Sequence, residues 1–176
     1  RGHQLRQVTH DLPRLVRAFA GLPEPWQLVI VGEGPERDAI LAEAARLGLS
    51  ARVHLPGHAP DPAKVLGAFD LFALSSDSEQ FPISVVEATS ARLAVVSPAV
   101  GDVAAMVAPE NRGWIVPPGD EAALGAALAA AASDPTARAA IGRANRVLAE
   151  AEYAEAAMLA AYRETYGTAM GGRTLP

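Results

Sequence analysis

The chain has 176 residues, of which 50% are hydrophobic and 20% are charged, and its formal net charge is −5. A chain of this size and composition buries a sizeable core, and its negative charge argues against nucleic acid as a partner. It contains no cysteine, which excludes disulfides, thiolate metal sites and cysteine nucleophiles.

Histidine spacing and hydropathy narrow the class of protein further. The four histidines form no HExxH-type pair, so we expect no metal site. No stretch reaches the roughly 18–20 apolar residues of a transmembrane helix, and no signal peptide is recognisable. We therefore expect a cytoplasmic protein without a transmembrane segment. The chain starts at Arg1 and not at a methionine, which is compatible with a segment of a longer protein.

Short apolar runs alternate with helical patterns along the chain. Continuous apolar character predicts strands at residues 27–31, 52–55, 70–74, 93–96 and 113–116. Apolar periodicity predicts helices at residues 12–20, 35–47, 61–68, 83–91, 120–132, 135–149 and 152–166, with a further short helix from residue 102. The expected capping residues are Asp11, Asp61 and Asp120 at helix N-termini and Gly48 after a helix C-terminus.

This alternation of strands and helices predicts an α/β fold. Helical crossovers between short buried strands favour right-handed βαβ units, and hence a doubly wound parallel sheet with helices on both faces. The helices after residue 120 follow the last strand and form a C-terminal helical segment. Because no repeat or linker is visible, we expect a single domain over residues 1–176, with a frayed tail from about residue 167.

The polar loop at residues 75–82 leads from a predicted strand into a predicted helix, a common place for an anion or sugar site in an α/β sheet. Glu79 lies in the loop, and Glu87 is the only charged residue from 81 to 91. A carboxylate among apolar residues costs desolvation unless it is hydrogen-bonded. One explanation is a capping box formed by Ser84 and Glu87. The other is that Glu87 accepts hydrogen bonds from vicinal hydroxyls, as a carboxylate does for a ribose.

The turn Gly32-Glu33-Gly34 follows the first predicted strand and invites a dinucleotide-binding interpretation. A G-x-G-x-x-G motif requires glycine at position 37, which is Arg37, and no acidic residue ends the following strand. A tight strand-to-helix turn is sufficient to explain Gly32 and Gly34. A phosphate or a base can still approach Gly32 closely, because it has no side chain.

The segment Glu79-Gln80-Phe81-Pro82, followed by Glu87-Ala88, resembles the E-x7-E motif of the retaining GT-B glycosyltransferases, family 4 in particular. Other segments resemble the C-terminal domain of that family in the same order, at residues 15–19, 28–37, 52–57, 68–72 and 113–120. The resemblance covers about residues 7–166. It implies the Rossmann-like half of a GT-B fold that binds a UDP- or GDP-linked sugar, with the N-terminal acceptor-binding domain absent from this chain.

The resemblance also implies a reaction and the residues that perform it. It implies transfer of a hexosyl group with retention of configuration to an unknown acceptor. Glu79 is the implied catalytic carboxylate at the transferred sugar, and Glu87 the implied ligand of the donor ribose. The other implied donor-binding residues are Phe81, Pro82 and Ile83 at the sugar and diphosphate, Gly32, Pro56 and Gly57 at the base, and Arg6 and His10 at the diphosphate. No metal and no cofactor is implied, because a helix N-terminus and basic side chains neutralise the departing diphosphate.

Several positions depart from the family pattern. The family has an arginine and a lysine before its first helix, where this chain has Leu5, with Arg6 adjacent, and His10. Gln80 replaces a glycine after the first glutamate, and Arg92 replaces a glycine before the next strand. The changes at Leu5, His10 and Gln80 favour an alternative in which the domain is a degenerate, non-catalytic binding or scaffold module. For an active enzyme we expect a cytoplasmic location, or one peripheral to the inner membrane through the missing half.

Overall fold

The computed structural model describes residues 11–169. Within this range five short strands, β1 to β5, lie at Leu28–Val31, Val53–Gly57, Phe72–Ala73, Val95–Pro98 and Ile115–Val116. The helices α1 to α8 lie at Leu12–Phe19, Arg37–Arg46, Pro62–Leu66, Ile83–Ser90, Val103–Met106, Glu121–Ser133, Pro135–Glu152 and Glu155–Ala169, and a 3₁₀ helix lies at Pro109–Trp114. No helix in this range is long and apolar enough to span a membrane.

All strand pairs are parallel, as the sequence predicts. Strand β1 pairs with β2, and β4 lies between β3 and β5, so three ladders of hydrogen bonds form a two-stranded and a three-stranded sheet. Neighbouring residues of β4 point to opposite faces: Val96 joins one buried cluster and Val95 the other. The first cluster contains residues of α1, α2 and α6, and the second contains residues of α4 and α5. Helices therefore cover both faces of the sheet that contains β4, which confirms the doubly wound α/β prediction.

The helix ends follow the predicted capping residues with one exception. The carboxylates of Asp11 and Asp120 accept backbone N–H groups three residues ahead, at 3.1 Å and 2.8 Å, and Gly48 has a φ of +71° just beyond α2. Asp61 stands at the predicted N-cap position of α3, but the side-chain capping bond is not made. Its carboxylate does not cap α3 and instead pairs with Lys64 at 3.0 Å. Residues 167–169, predicted to be frayed, belong to α8.

The predicted strand 113–116 is shortened to Ile115–Val116, because a side chain occupies the edge of β4. Asn111 accepts the Val95 N–H at 2.9 Å and donates to the Val95 carbonyl at 2.6 Å. This amide takes the place of a neighbouring strand at Val95, and the β4–β5 ladder starts only where Ser97 pairs with Ile115. Gly113 and Trp114 consequently belong to the 3₁₀ helix.

Arg92 occupies a backbone conformation that suits glycine better. Its φ is +65°, in the turn between α4 and β4. Packing fixes the turn, since a Cβ added at Gly142 of α7 would lie 2.0 Å from the Arg92 carbonyl oxygen. The glycine expected here from the family pattern therefore has a steric reason.

Replacing Arg92 by glycine is expected to raise the free energy of unfolding by about 1 kcal/mol, because glycine adopts a positive φ without the clash of a Cβ. Urea denaturation of the two proteins measures the difference. Arg92→Ala is the control, because it removes the long side chain and keeps the Cβ. A stabilised alanine variant would show that the side chain, and not the backbone, is responsible.

Candidate functional site

A cavity of about 870 Å³ opens at the carboxyl ends of β1 and β2. Gly32, Pro56 and Gly57, three of the predicted site residues, all line it. The Gly32 N–H donates to the Gly57 carbonyl at 2.9 Å, and their φ values are +133° and +92°. Because neither residue has a side chain, the wall they form is backbone that a flat group can approach closely.

The polar side chains of this cavity belong to the start of α2 and the turn before it. Glu33, Glu36 and Arg37 line the cavity together with apolar side chains from α1, β1 and β2. The Glu36 carboxylate accepts the Leu12 N–H at 3.3 Å, and the Arg37 guanidinium donates to the Leu55 carbonyl at 3.1 Å. The cavity lining thus combines apolar side chains with side chains of both charge signs, which suits a planar polar ligand better than a purely apolar one.

The loop that carries Glu79 starts beside this cavity, at the N-terminus of α1. The Ser75 hydroxyl donates to the Asp11 carbonyl at 3.2 Å, and the buried Arg14 guanidinium donates to the Ser75 carbonyl. Arg14 also pairs with the Asp77 carboxylate at 2.6 Å. Since Leu12 lines the cavity, the cavity and the loop meet at the first turn of α1.

The far end of the same loop lies against Gly101. The Asp102 N–H donates to the Gln80 carbonyl at 2.9 Å. A Cβ added at Gly101, whose φ is +50°, would lie 2.2 Å from the Gln80 carbonyl oxygen and 2.5 Å from that of Glu79. The backbone of Glu79 is therefore packed directly on a position where no side chain fits.

Helix α4 begins at Ile83 with no side chain capping its N-terminus. Its N-cap is Pro82, and Ser84 lies inside the helix, so the capping-box explanation for Glu87 is wrong. The half-buried Glu87 carboxylate has no hydrogen-bond or ion-pair partner among residues 11–169. A partly desolvated carboxylate without a protein partner, on a helix whose N-terminus no side chain caps, is an arrangement expected of a ligand site.

Two apolar residues of the predicted site are exposed at the start of α4. Phe81 is 46% exposed and Ile83 68% exposed, whereas Pro82 between them is buried. The Phe81 ring contacts the Tyr153 ring edge-on, with centroids 5.7 Å apart. Burial, with smaller contributions from Glu152 and Asp102, raises the pKa of the Tyr153 phenol. Phe81 and Ile83 thus present apolar surface beside Glu79 and Glu87.

The structure brings the predicted residues to one edge of the sheet in two groups. Gly32, Pro56 and Gly57 lie in the cavity, and the motif from Glu79 to Glu87 lies beyond the carboxyl end of β3. Arg6 and His10 lie outside the described residues and stay predictions. The sequence analysis missed Arg14 and Gly101. Arg14 could not be recognised from the sequence, because a charged residue on an amphipathic helix is ordinary. Gly101 could not be recognised either, because it lies in a loop and the sequence does not indicate which residues pack against it.

A family model described as glycosyl transferases group 1 matches residues 6–148. Over 82 residues the chain is 37% identical to an N-acetylgalactosamine-N,N'-diacetylbacillosaminyl-diphospho-undecaprenol 4-alpha-N-acetylgalactosaminyltransferase of Campylobacter jejuni, which covers 47% of this chain and 22% of that protein. Over 129 residues it is 30% identical to a 2-deoxystreptamine N-acetyl-D-glucosaminyltransferase of Streptomyces fradiae, covering 67% of this chain and 31% of that protein.

Solved structures share the fold over nearly the whole chain. Sucrose-phosphate synthase of Thermosynechococcus elongatus superimposes with a TM-score of 0.82 at 26% identity, over 93% of this chain and 43% of the other. Anabaena HepE, solved in complex with UDP, superimposes with a TM-score of 0.83 at 23% identity, over 93% and 47%. The chain therefore spans less than half of each of these two proteins, and the likeness confirms the predicted α/β fold.

Proposed function

Because the chain belongs to the glycosyl transferases group 1 family, as the C-terminal domain of a GT-B glycosyltransferase, we propose that it binds a UDP- or GDP-linked sugar. The proposed reaction transfers the sugar, with retention of configuration, to an acceptor held by an N-terminal half outside this chain. The chain alone is then a donor-binding domain that is incomplete for turnover. The proposed location is the cytoplasm, or the inner-membrane surface when the missing half binds there.

The observation that carries this proposal is the Glu87 carboxylate. It is half-buried on α4 without a protein partner among residues 11–169, and its capping role is excluded because Ser84 lies inside the helix. A carboxylate held in this way is preorganised to accept two hydrogen bonds from neighbouring hydroxyls. The ribose of a nucleotide offers such a pair, which supports the role proposed for Glu87.

The remaining residues take roles consistent with their places at the same edge of the sheet. The cavity at Gly32, Pro56 and Gly57 is lined by glycine backbone and by apolar side chains, which suits a nucleobase. Glu79, on the loop that meets this cavity at α1, is assigned to the hydroxyls of the transferred sugar.

Charge develops on the diphosphate oxygen as the glycosidic bond breaks, so fixed donors aimed at that oxygen contribute most to rate. The uncapped N-terminus of α4 at Ile83 supplies such donors. Arg6 and His10 are proposed to add positive charge there, and no metal is required. A neutral histidine stabilises a phosphate less than a lysine does.

The alternative is a non-catalytic module of the same family. It is favoured by Leu5, His10 and Gln80, which replace residues that contact the donor in the family pattern. It is disfavoured by the presence of both Glu79 and Glu87 of the motif. Glu87 carries this argument, because a module without a donor gains nothing from a half-buried carboxylate that has no protein partner among residues 11–169.

Calorimetric titration with UDP, GDP, ADP and their sugar conjugates, N-acetylhexosamine conjugates included, tests the proposal. Glu87→Gln is expected to weaken binding of the nucleoside diphosphate by about 1–3 kcal/mol, the cost of degrading a charged hydrogen bond. Glu79→Gln is expected to leave the nucleoside diphosphate unaffected and to weaken only the sugar conjugate. Glu150→Gln is the matched control, because Glu150 is exposed and pairs with Arg146 on α7.

The pattern across the three variants separates the explanations. Equal losses of both ligands in Glu79→Gln and Glu87→Gln, together with lower melting temperatures, would show that the two carboxylates stabilise the fold and do not contact the donor. Saturable binding of one nucleotide by the full-length protein, without transfer to any acceptor, would favour the non-catalytic module.

A further inference from the structure

Arg14 is the only charged residue among residues 11–169 that is almost fully buried, with 6% of its surface exposed. Its guanidinium reaches from α1 to the start of the Glu79 loop. There Nη2 donates to the Ser75 carbonyl and lies 2.6 Å from the Asp77 carboxylate. The buried cation therefore joins the first helix to a loop residue, Asp77, that is itself about half exposed.

Stability alone is a poor reason for this arrangement. The Arg14 Nε–H is buried without a hydrogen-bond partner, and a carboxylate oxygen of Asp11 lies 3.6 Å away. Burying a guanidinium with an unsatisfied donor costs free energy, and apolar side chains of similar size often replace buried ion pairs without loss of stability. What an apolar side chain cannot supply is directional bonding to two points of one loop.

The two contacts bracket the loop just ahead of Glu79. Arg14 holds residues 75 and 77, and the Ser75 hydroxyl adds a bond to the Asp11 carbonyl at 3.2 Å. Beyond Glu79, the Gln80 carbonyl is held by the Asp102 N–H at 2.9 Å. The loop is thus held by hydrogen bonds on both sides of Glu79, and Arg14 makes those on the N-terminal side.

We propose that Arg14 is a positioning residue for sugar recognition: by holding residues 75–77 it sets the Glu79 carboxylate against the transferred sugar. This inference rests on the proposed function. It predicts that the sugar, and not the nucleotide, depends on Arg14, because the cavity at Gly32 and Gly57 and the carboxylate of Glu87 lie on other elements.

The test compares Arg14→Met, Arg14→Lys and Arg17→Met in the full-length protein. Arg17 is a matched control, because it lies on the same helix and pairs with Glu121 at 2.8 Å. Its other two carboxylate partners, Glu43 at 3.6 Å and Asp11 at 4.0 Å, also lie outside residues 75–81. We expect Arg14→Met to weaken binding of the UDP- or GDP-sugar by about tenfold or more and to change UDP or GDP affinity by about twofold at most. Arg14→Lys should recover part of the loss, since an ammonium group can bond one of the two loop oxygens.

Hydrogen exchange provides a readout that does not depend on any nucleotide. Amides of residues 75–81 are expected to exchange faster in Arg14→Met than in the wild type, and to be unchanged in Arg17→Met. If the wild-type protein binds no nucleotide, the proposed function fails, and faster exchange confined to this loop would still support Arg14 as its anchor.

Three outcomes would overturn the inference. The first is equal weakening of the nucleotide and its sugar conjugate in Arg14→Met. The second is the same loss of sugar affinity in Arg17→Met as in Arg14→Met, which would indicate a general effect on α1. The third is unchanged exchange of residues 75–81 in Arg14→Met, which would show that the loop is held without the guanidinium.

Discussion

Replacing Asn111 by alanine is expected to lower the free energy of unfolding by about 3–5 kcal/mol, because three buried hydrogen bonds are lost at once. The Asn111 amide bonds both backbone groups of Val95, at 2.9 Å and 2.6 Å, and its oxygen accepts Asn145 Nδ2 at 2.7 Å. Asn145 in turn accepts the Ala108 N–H at 2.9 Å. Asn111 and Asn145 are both fully buried, so water cannot replace the lost bonds without a rearrangement.

Chemical denaturation measures this loss, and a double-mutant cycle with Asn145→Ala measures the coupling between the two amides. Gln27→Ala is the matched control. The Gln27 amide also makes hydrogen bonds, to His54 at 2.8 Å and to the Pro25 carbonyl at 3.4 Å, but it is exposed, so we expect a change within about 0.5 kcal/mol. Equal effects at Asn111 and Gln27 would mean that burial of the network does not matter.

The same amide shows why strand ends were harder to predict than the fold. The apolar run at β1 and the N-caps Asp11 and Asp120 reflect local chemistry, and the structure confirms them. The strand predicted at residues 93–96 exists, but it lies two residues later, at Val95–Pro98. The start of β5 depends on Asn111, whose polar side chain occupies a ladder position on β4. The sequence of residues 113–116 does not indicate that Asn111 occupies this position, because the backbone that Asn111 bonds, at Val95, belongs to another segment of the chain.

The candidate site likewise contains residues that could be predicted from the sequence and residues that could not. The motif from Glu79 to Glu87 could be recognised in the sequence, because Glu87 is the only charged residue from 81 to 91. Its apolar neighbours in the sequence do not explain that charge. Arg14 and Gly101, which fix the position of this motif, could not be predicted, because they act through contacts with residues far away in the sequence. The capping-box alternative for Glu87 failed for a purely local reason: Pro82 and not Ser84 stands at the helix start.

Replacing Gly101 by alanine is expected to displace the Glu79 loop, with a loss of about 3 kcal/mol in stability from strain and overpacking together. The added Cβ would lie 2.2 Å and 2.5 Å from the carbonyl oxygens of Gln80 and Glu79. Those atoms belong to the backbone and cannot move aside as the end of a long side chain can. We therefore also expect weaker binding of the sugar nucleotide, by about tenfold or more, since Glu79 moves with its backbone.

Gly119→Ala separates the two contributions. Gly119 also has a positive φ, +77°, but nothing lies within 4 Å of an added Cβ, so alanine there incurs the backbone strain alone, about 1 kcal/mol. If Gly101→Ala exceeds this control in both unfolding and sugar-nucleotide titration, the close approach to Glu79 is responsible. If the two variants match, backbone strain explains the whole effect at Gly101, and the loop that carries Glu79 must owe its position to the contacts made by α1.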